Sequence, residues 1–202
     1  MVVSQKLTGS NHIPRGVGFS GGSWWSVRKA LLEEIKRSIP KVLILCHTEP
    51  HRIPNDYNLG INLASALDGK ISTYRYGALR DYRKEYISEE KLQSIVEASK
   101  LYYEELWSSE YCEWAQKSWF RELDQMIEEW RIPYVIHLRC FSSTVNYTFK
   151  NSITIQEDLF SKASVVPDMP NHFTEDLNQK LGNKLVELIL DYKTGPQTIN
   201  LV

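Results

Sequence analysis

The chain has 202 residues with a formal net charge of -1, 42% hydrophobic and 24% charged residues. This is an ordinary globular composition, long enough for one domain with a substantial core. There is no basic excess for nucleic acid, no charged tail, and no stretch near the roughly 18 apolar residues a membrane span needs.

Three cysteines, Cys46, Cys112 and Cys140, with no close pair, argue against a disulfide framework or a zinc knuckle. Cys46 and Cys140 end apolar runs and read as buried strand residues. A reducing, cytoplasmic compartment is the simple inference, since Met1 to Ser10 shows no secretory signal. The 6 Trp and 11 Tyr read either as core and helix contacts or as the floor of a cleft for a sugar or other flat ligand.

Residues 1–15 are polar and lack periodicity, and read as an irregular N-terminal segment. A glycine-dense turn, Gly16–Ser23, follows. Trp24, Val27, Leu31 and Ile35 then fall on one helical face, with Ser23 as N-cap and Pro40 as terminator. Val42–Cys46 is a short apolar run, the pattern of a strand buried on both faces. It ends in the polar stretch His47-Thr48-Glu49-Pro50-His51-Arg52. Residues 55–87 are polar and tyrosine-rich and read as an insert.

Two helices come next. Ser88 caps the first, which carries Leu92, Ile95, Val96 and Leu101; the second carries Trp114, Phe120, Leu123, Ile127 and Trp130, read as core. Tyr134–Phe141 is a second strand, and residues 142–162 are a loop holding a short strand or helix. The last helix places Leu177, Leu181, Leu185, Leu188 and Ile189 on one face, and 194–202 is a tail. Strands alternating with helices predict a single α/β domain over 16–193, with a mostly parallel sheet covered on both faces. Ligands in such sheets bind beyond the carboxyl ends of the strands, where the polar clusters 20–23, 47–52 and 139–144 fall.

Asp168-Met169-Pro170-Asn171-His172 opens the last helix. A histidine there can act as a base oriented by the nearby acid, or it is incidental to a helix start capped by Asn171 or Thr174. His47, Glu49 and His51 alternate and, with His137, have the residue types of a metal site, although His137 lies in an apolar strand where a satisfied core histidine is usual. Thr48 and Arg52 are better read as ligand contacts, with an ion pair to Glu49 or Asp56 as the competing role for Arg52.

Asp168 and His172 before the amphipathic helix of Leu177 and Leu181, together with the glycine turn opening the first helix, resemble blocks of the SGNH (GDSL-type) hydrolases. Ile44–Glu49 with Arg52 is similar to divergent, phage-associated members, in which a Thr and an Arg follow that strand. The resemblance spans roughly residues 16–192 and implies a flavodoxin-like three-layer α/β/α sandwich, with no hydrophobic run at residues 1–15 to supply the family's first strand. It further implies hydrolysis of an acyl ester of a carbohydrate or lipid, without cofactor or metal, by His172 and Asp168, with Gly21 and Gly22 at the oxyanion hole.

Three departures stand beside it. No Gly-Asp-Ser block precedes the glycine turn, Asp168 is four rather than three residues before His172, and Asn55-Asp56 is displaced from the family's Asn block. Ser20 and Ser23, in Gly-Phe-Ser-Gly-Gly-Ser, are the nearest candidate nucleophiles, with Ser20 in the context of a nucleophile elbow; the same turn also reads as a plain helix start able to hold an anion. The alternative function is a non-catalytic ligand- or protein-binding module, for instance on a viral particle, using the same cleft.

Overall fold

The computed structural model describes residues 22–55, 60–67, 87–139, 145–155, 174–190 and 197–199. Along the chain these form α1 (Trp24–Arg37), β1 (Leu43–His47), α2 (Leu63–Leu67) and α3 (Glu89–Leu101). A π-helical turn (Tyr102–Leu106), α4 (Ser109–Glu129), β2 (Val135–Arg139), β3 (Ser152–Ile155), α5 (Glu175–Leu190) and β4 (Gln197–Ile199) follow. The result is a mixture of helix and strand around a small parallel sheet in the order β1-β2-β3-β4, compatible with an α/β fold. β4 lies within the stretch expected to be a tail. No described helix is long and apolar enough to cross a membrane.

The helix boundaries follow from local chemistry. Ser23 sits at the N-cap of α1 in an extended conformation, as its sequence position predicts. Its hydroxyl makes no cap hydrogen bond; the Ser23 carbonyl accepts from the Ser26 and Val27 amides instead. Ser88 does cap α3, accepting from the Lys91 amide at 3.2 Å. Ser108 caps α4 in the same way through Tyr111. At the other end of α4, Arg131 takes a left-handed φ of 56°. The Arg131 amide donates to the Glu128 carbonyl and the Ile132 amide to that of Ile127, both at 3.0 Å. This is the Schellman arrangement, in which glycine is the usual occupant. Pro133 then leads the chain into β2.

Alternate strand residues serve two cores. Leu45 and Val135 belong with Trp119, Phe120, Leu123 and Ile127 of α4, and Val27, Leu31 and Ile35 of α1 pack against that cluster. Ile136, Leu138, Ile153 and Ile155 belong with Leu185 of α5, flanked by Leu181 and Leu188. β1 departs from the expectation of a strand buried on both faces. Leu45 is buried, but Ile44 is 36% exposed and Cys46 is also exposed. The reason is position: β1 pairs only with β2 among the described strands, and α5 packs over β2 and β3.

The helices share a direction that fixes what meets at the rim. Gln116, in the first half of α4, reaches the main chain just past the end of β1, whereas the end of α4 leads into the start of β2. α1 runs alongside α4 in the same sense: Arg28 pairs with Glu122, and Ile35 lies by Trp130. The start of α1 therefore faces the carboxyl end of the sheet. In α5, the Leu188 carbonyl accepts from the Tyr134 hydroxyl at the amino end of β2. Glu175 lies thirteen residues earlier, about 20 Å along the helix axis, so α5 too opens toward the carboxyl end.

Candidate functional site at the carboxyl rim

β1 ends at His47, and Thr48–Arg52 forms a turn directly after it. Thr48, Pro50 and Arg52 are buried in this turn. The Arg52 guanidinium, 7% exposed, donates through Nε to Glu49 Oε2 at 3.2 Å. The competing role anticipated for Arg52, an ion pair with Glu49, is therefore made. A guanidinium this far from water requires a charge partner, because desolvation otherwise outweighs other gains.

Two buried side chains from helices hold the turn in place, and neither stands out in the sequence. Gln116 is wholly buried; its Nε2 donates to the Thr48 carbonyl at 2.9 Å, and its Oε1 accepts from the Val145 amide at 3.4 Å. One amide thus ties the turn after β1 to the segment between β2 and β3. Tyr103 comes from the π-helical turn, a local widening that often marks functional positions. Its hydroxyl donates to the His51 carbonyl at 2.5 Å and lies 3.3 Å from that of Ile61. Burial pushes the Tyr103 phenol far above its ordinary value, with the nearby Tyr102 adding to the effect, so it stays a proton donor. A glutamine or tyrosine on a helix face carries no sequence signal of such a role.

Thr48 Oγ1 is buried and has no hydrogen-bond partner among the described residues. Buried hydroxyls are usually satisfied, so this atom is the rim's most conspicuous unused polar group. His51 Nδ1 is likewise buried without a partner, and its ring meets Trp107 edge-on at 5.6 Å.

The sequence candidates divide as follows. Gly22 directly precedes the buried Ser23 at the opening of α1, and Thr48 and Arg52 lie on the rim turn. Ser20, Gly21, Asp168 and His172 lie outside the described residues, as do Asn171, Asp56, Cys140 and the side chain of His47. The metal alternative loses His137, which is a core residue on β2 between the rings of Phe120 and Phe149, at 6.0 and 5.3 Å. Among the described residues, no three His, Cys, Asp or Glu side chains form a group able to hold a metal ion.

Two further expectations are corrected. Trp114 was expected in the core but is 59% exposed, because it lies on the side of α4 opposite Cys112, Gln116 and Trp119. Cys46 is exposed, against expectation, and Cys112 is the buried thiol, whose pKa burial raises. Comparison of the chain with protein-family models, curated proteins and solved structures finds no match.

Proposed function

We propose that this chain is an SGNH-hydrolase-like domain that hydrolyses an acyl ester of a carbohydrate or lipid at the carboxyl rim of its sheet. The observation that carries this reading is the shared orientation of α1 and α5. Both open toward the end of the sheet where the β1 turn holds Thr48. The sequential strand order also fits the side of a flavodoxin-like sheet that runs in chain order, with room for further strands beyond β1. Helices packed against opposite strand faces fit the three-layer sandwich.

In this reading, Ser20 Oγ bonds to the ester carbonyl carbon while His172 takes its proton and Asp168 orients the imidazole. Gly21 and Gly22 amides stabilise the oxyanion, and Thr48 Oγ1 has a free donor to add. The proton passes from His172 to the departing alcohol, and water then releases the acid by the reverse path.

A chromogenic acetate ester provides the test. Turnover should be measurable in the intact chain and fall about 10³-fold or more in His172→Ala. Equal turnover in the two proteins sinks the proposal. A second reading, a non-catalytic binding module on the same cleft, draws support from the buried Arg52–Glu49 pair, which preorganises the rim without chemistry. No turnover, with saturable ligand binding that weakens in Arg52→Ala, would select it.

A further inference from the structure

The outward face of α4 is apolar at its centre and oppositely charged at its two ends. Trp114 projects from the side of the helix opposite its buried residues and is 59% exposed; Tyr111, 61% exposed, lies beside it with ring centroids 5.9 Å apart. Toward the N-terminus stand Glu110, one turn away, and Glu113, the preceding residue, both exposed; toward the C-terminus stand Lys117 and Arg121, also exposed. At 100° per residue, Glu110, Trp114, Lys117 and Arg121 fall within one stripe. None of these four charged side chains makes an ion pair among the described residues, although Glu113 and Lys117 are spaced to do so. Tryptophan is rarely left this open to water on a helix that already has a complete buried face.

A surface that is acidic, then aromatic, then basic along one helix is complementary to itself when inverted. We infer that α4 docks antiparallel on α4 of a second copy of this chain, around a two-fold axis passing between residues 115 and 116. That symmetry sets Glu110 of each copy opposite Arg121 of the other, and Trp114 opposite Lys117. The lysine stem covers the indole while its ammonium stays wet and lies toward the aromatic face. Ser118, small and half-buried, leaves room beside the ring. A purely basic or purely acidic partner fits less well, because either would meet one end of the stripe with like charge. A single helix pair buries little area, so the dimer is weak and depends on protein concentration.

The experiment is sedimentation of the full chain from about 1 to 100 µM, in low and high salt, with two charge-reversed variants. The first carries E110K and E113K; the second carries K117E and R121E. Wild type should self-associate, about tenfold less tightly in Trp114→Ala and less tightly in high salt. Each charge-reversed variant alone should be monomeric across the range, and an equimolar mixture of the two should associate again. All the substituted positions are exposed, and circular dichroism confirms that each variant is folded before it is read. A wild type monomeric at the highest concentration overturns the inference. So do variants that associate alone as wild type does, or a mixture that stays monomeric.

Discussion

Under α5 the sheet presents Ile136, Leu138, Ile153 and Ile155, all aliphatic and all at most 3% exposed. Under α1 and α4 the same strands present Val135, His137, Ser152 and Thr154, equally buried but three of the four able to hydrogen-bond through their side chains. Gln116 and Asp124 of α4 add two more buried polar groups on that side. Asp124 accepts from the Lys150 amide at 3.2 Å and the Tyr147 hydroxyl at 3.3 Å, and Ser152 donates to the Phe149 carbonyl at 2.9 Å. The aliphatic face is held mainly by area, which is non-directional, with the Tyr134–Leu188 hydrogen bond at its edge. The polar face fixes particular loops at particular distances, because a buried polar group left unpaired is costly. It is also the face whose loops reach the rim turn.

The comparison predicts unequal responses to truncation. Phe120 sits at the centre of the polar face, its ring 5.5–6.0 Å from those of Trp119, His137, Tyr147 and Phe149. Phe120→Ala should cost about 3–5 kcal/mol and loosen segment 145–149 as well, whereas Ile136→Val on the aliphatic face should cost about 0.5–1.5 kcal/mol. Urea unfolding measures both. Because the two truncations remove different numbers of carbons, amide exchange in 145–149 is what separates the faces: no faster exchange there in Phe120→Ala would mean that the polar face does not hold that segment.

Much of this architecture was legible from periodicity and punctuation. The spacing of Trp24, Val27, Leu31 and Ile35, the Ser88 cap, and the apolar runs at 42–46 and 134–141 each mark an element found in place. What escaped had a physical reason. Arg131 occupies a left-handed position where a glycine would have announced the end of α4. Ile44 and Cys46 look like core until the strand order puts them at an open side of the sheet. Trp114 shares the hydrophobicity of Trp119 but not its angle on the helix. Of the candidate site, the rim turn was legible as a polar cluster after a strand. The side chains that hold it, Gln116 and Tyr103, are 68 and 52 residues away from the main-chain groups they bind and so have no local signature.

Gln116 offers a smaller perturbation of the polar face. In Gln116→Leu the Thr48 carbonyl and the Val145 amide lose their shared partner while the volume changes little. Stability should fall by about 1–3 kcal/mol. Amide exchange should speed up together in residues 48–53 and 145–149, two segments far apart in sequence. Faster exchange in only one of them would show that the amide does not couple the rim loops.

The last effect separates the faces by pH. Burial drives the His137 pKa down from 6.5 to about 3, and the Arg139 charge adds to this, against a hydrogen bond to the Tyr147 main chain. The ring is therefore neutral in the folded chain, while in the unfolded chain it takes up a proton below about 6.5. Because the unfolded state binds the extra proton, the contribution of His137 is fully present above about pH 6.5 and declines as pH falls toward 3. The decline is about 1.4 kcal/mol per pH unit once the unfolded ring is charged. Carboxylates elsewhere also titrate in this window, so the informative quantity is a difference. His137→Gln keeps a donor for Tyr147 but cannot titrate. The stability of wild type relative to this variant should be constant from pH 8 to 7 and then fall by that slope from about pH 6 to 4. A substitution on the aliphatic face, such as Ile136→Val, should shift stability by the same amount at every pH. A flat difference for His137→Gln would mean that the imidazole charges without leaving the core, and that the polar face tolerates a cation at its centre.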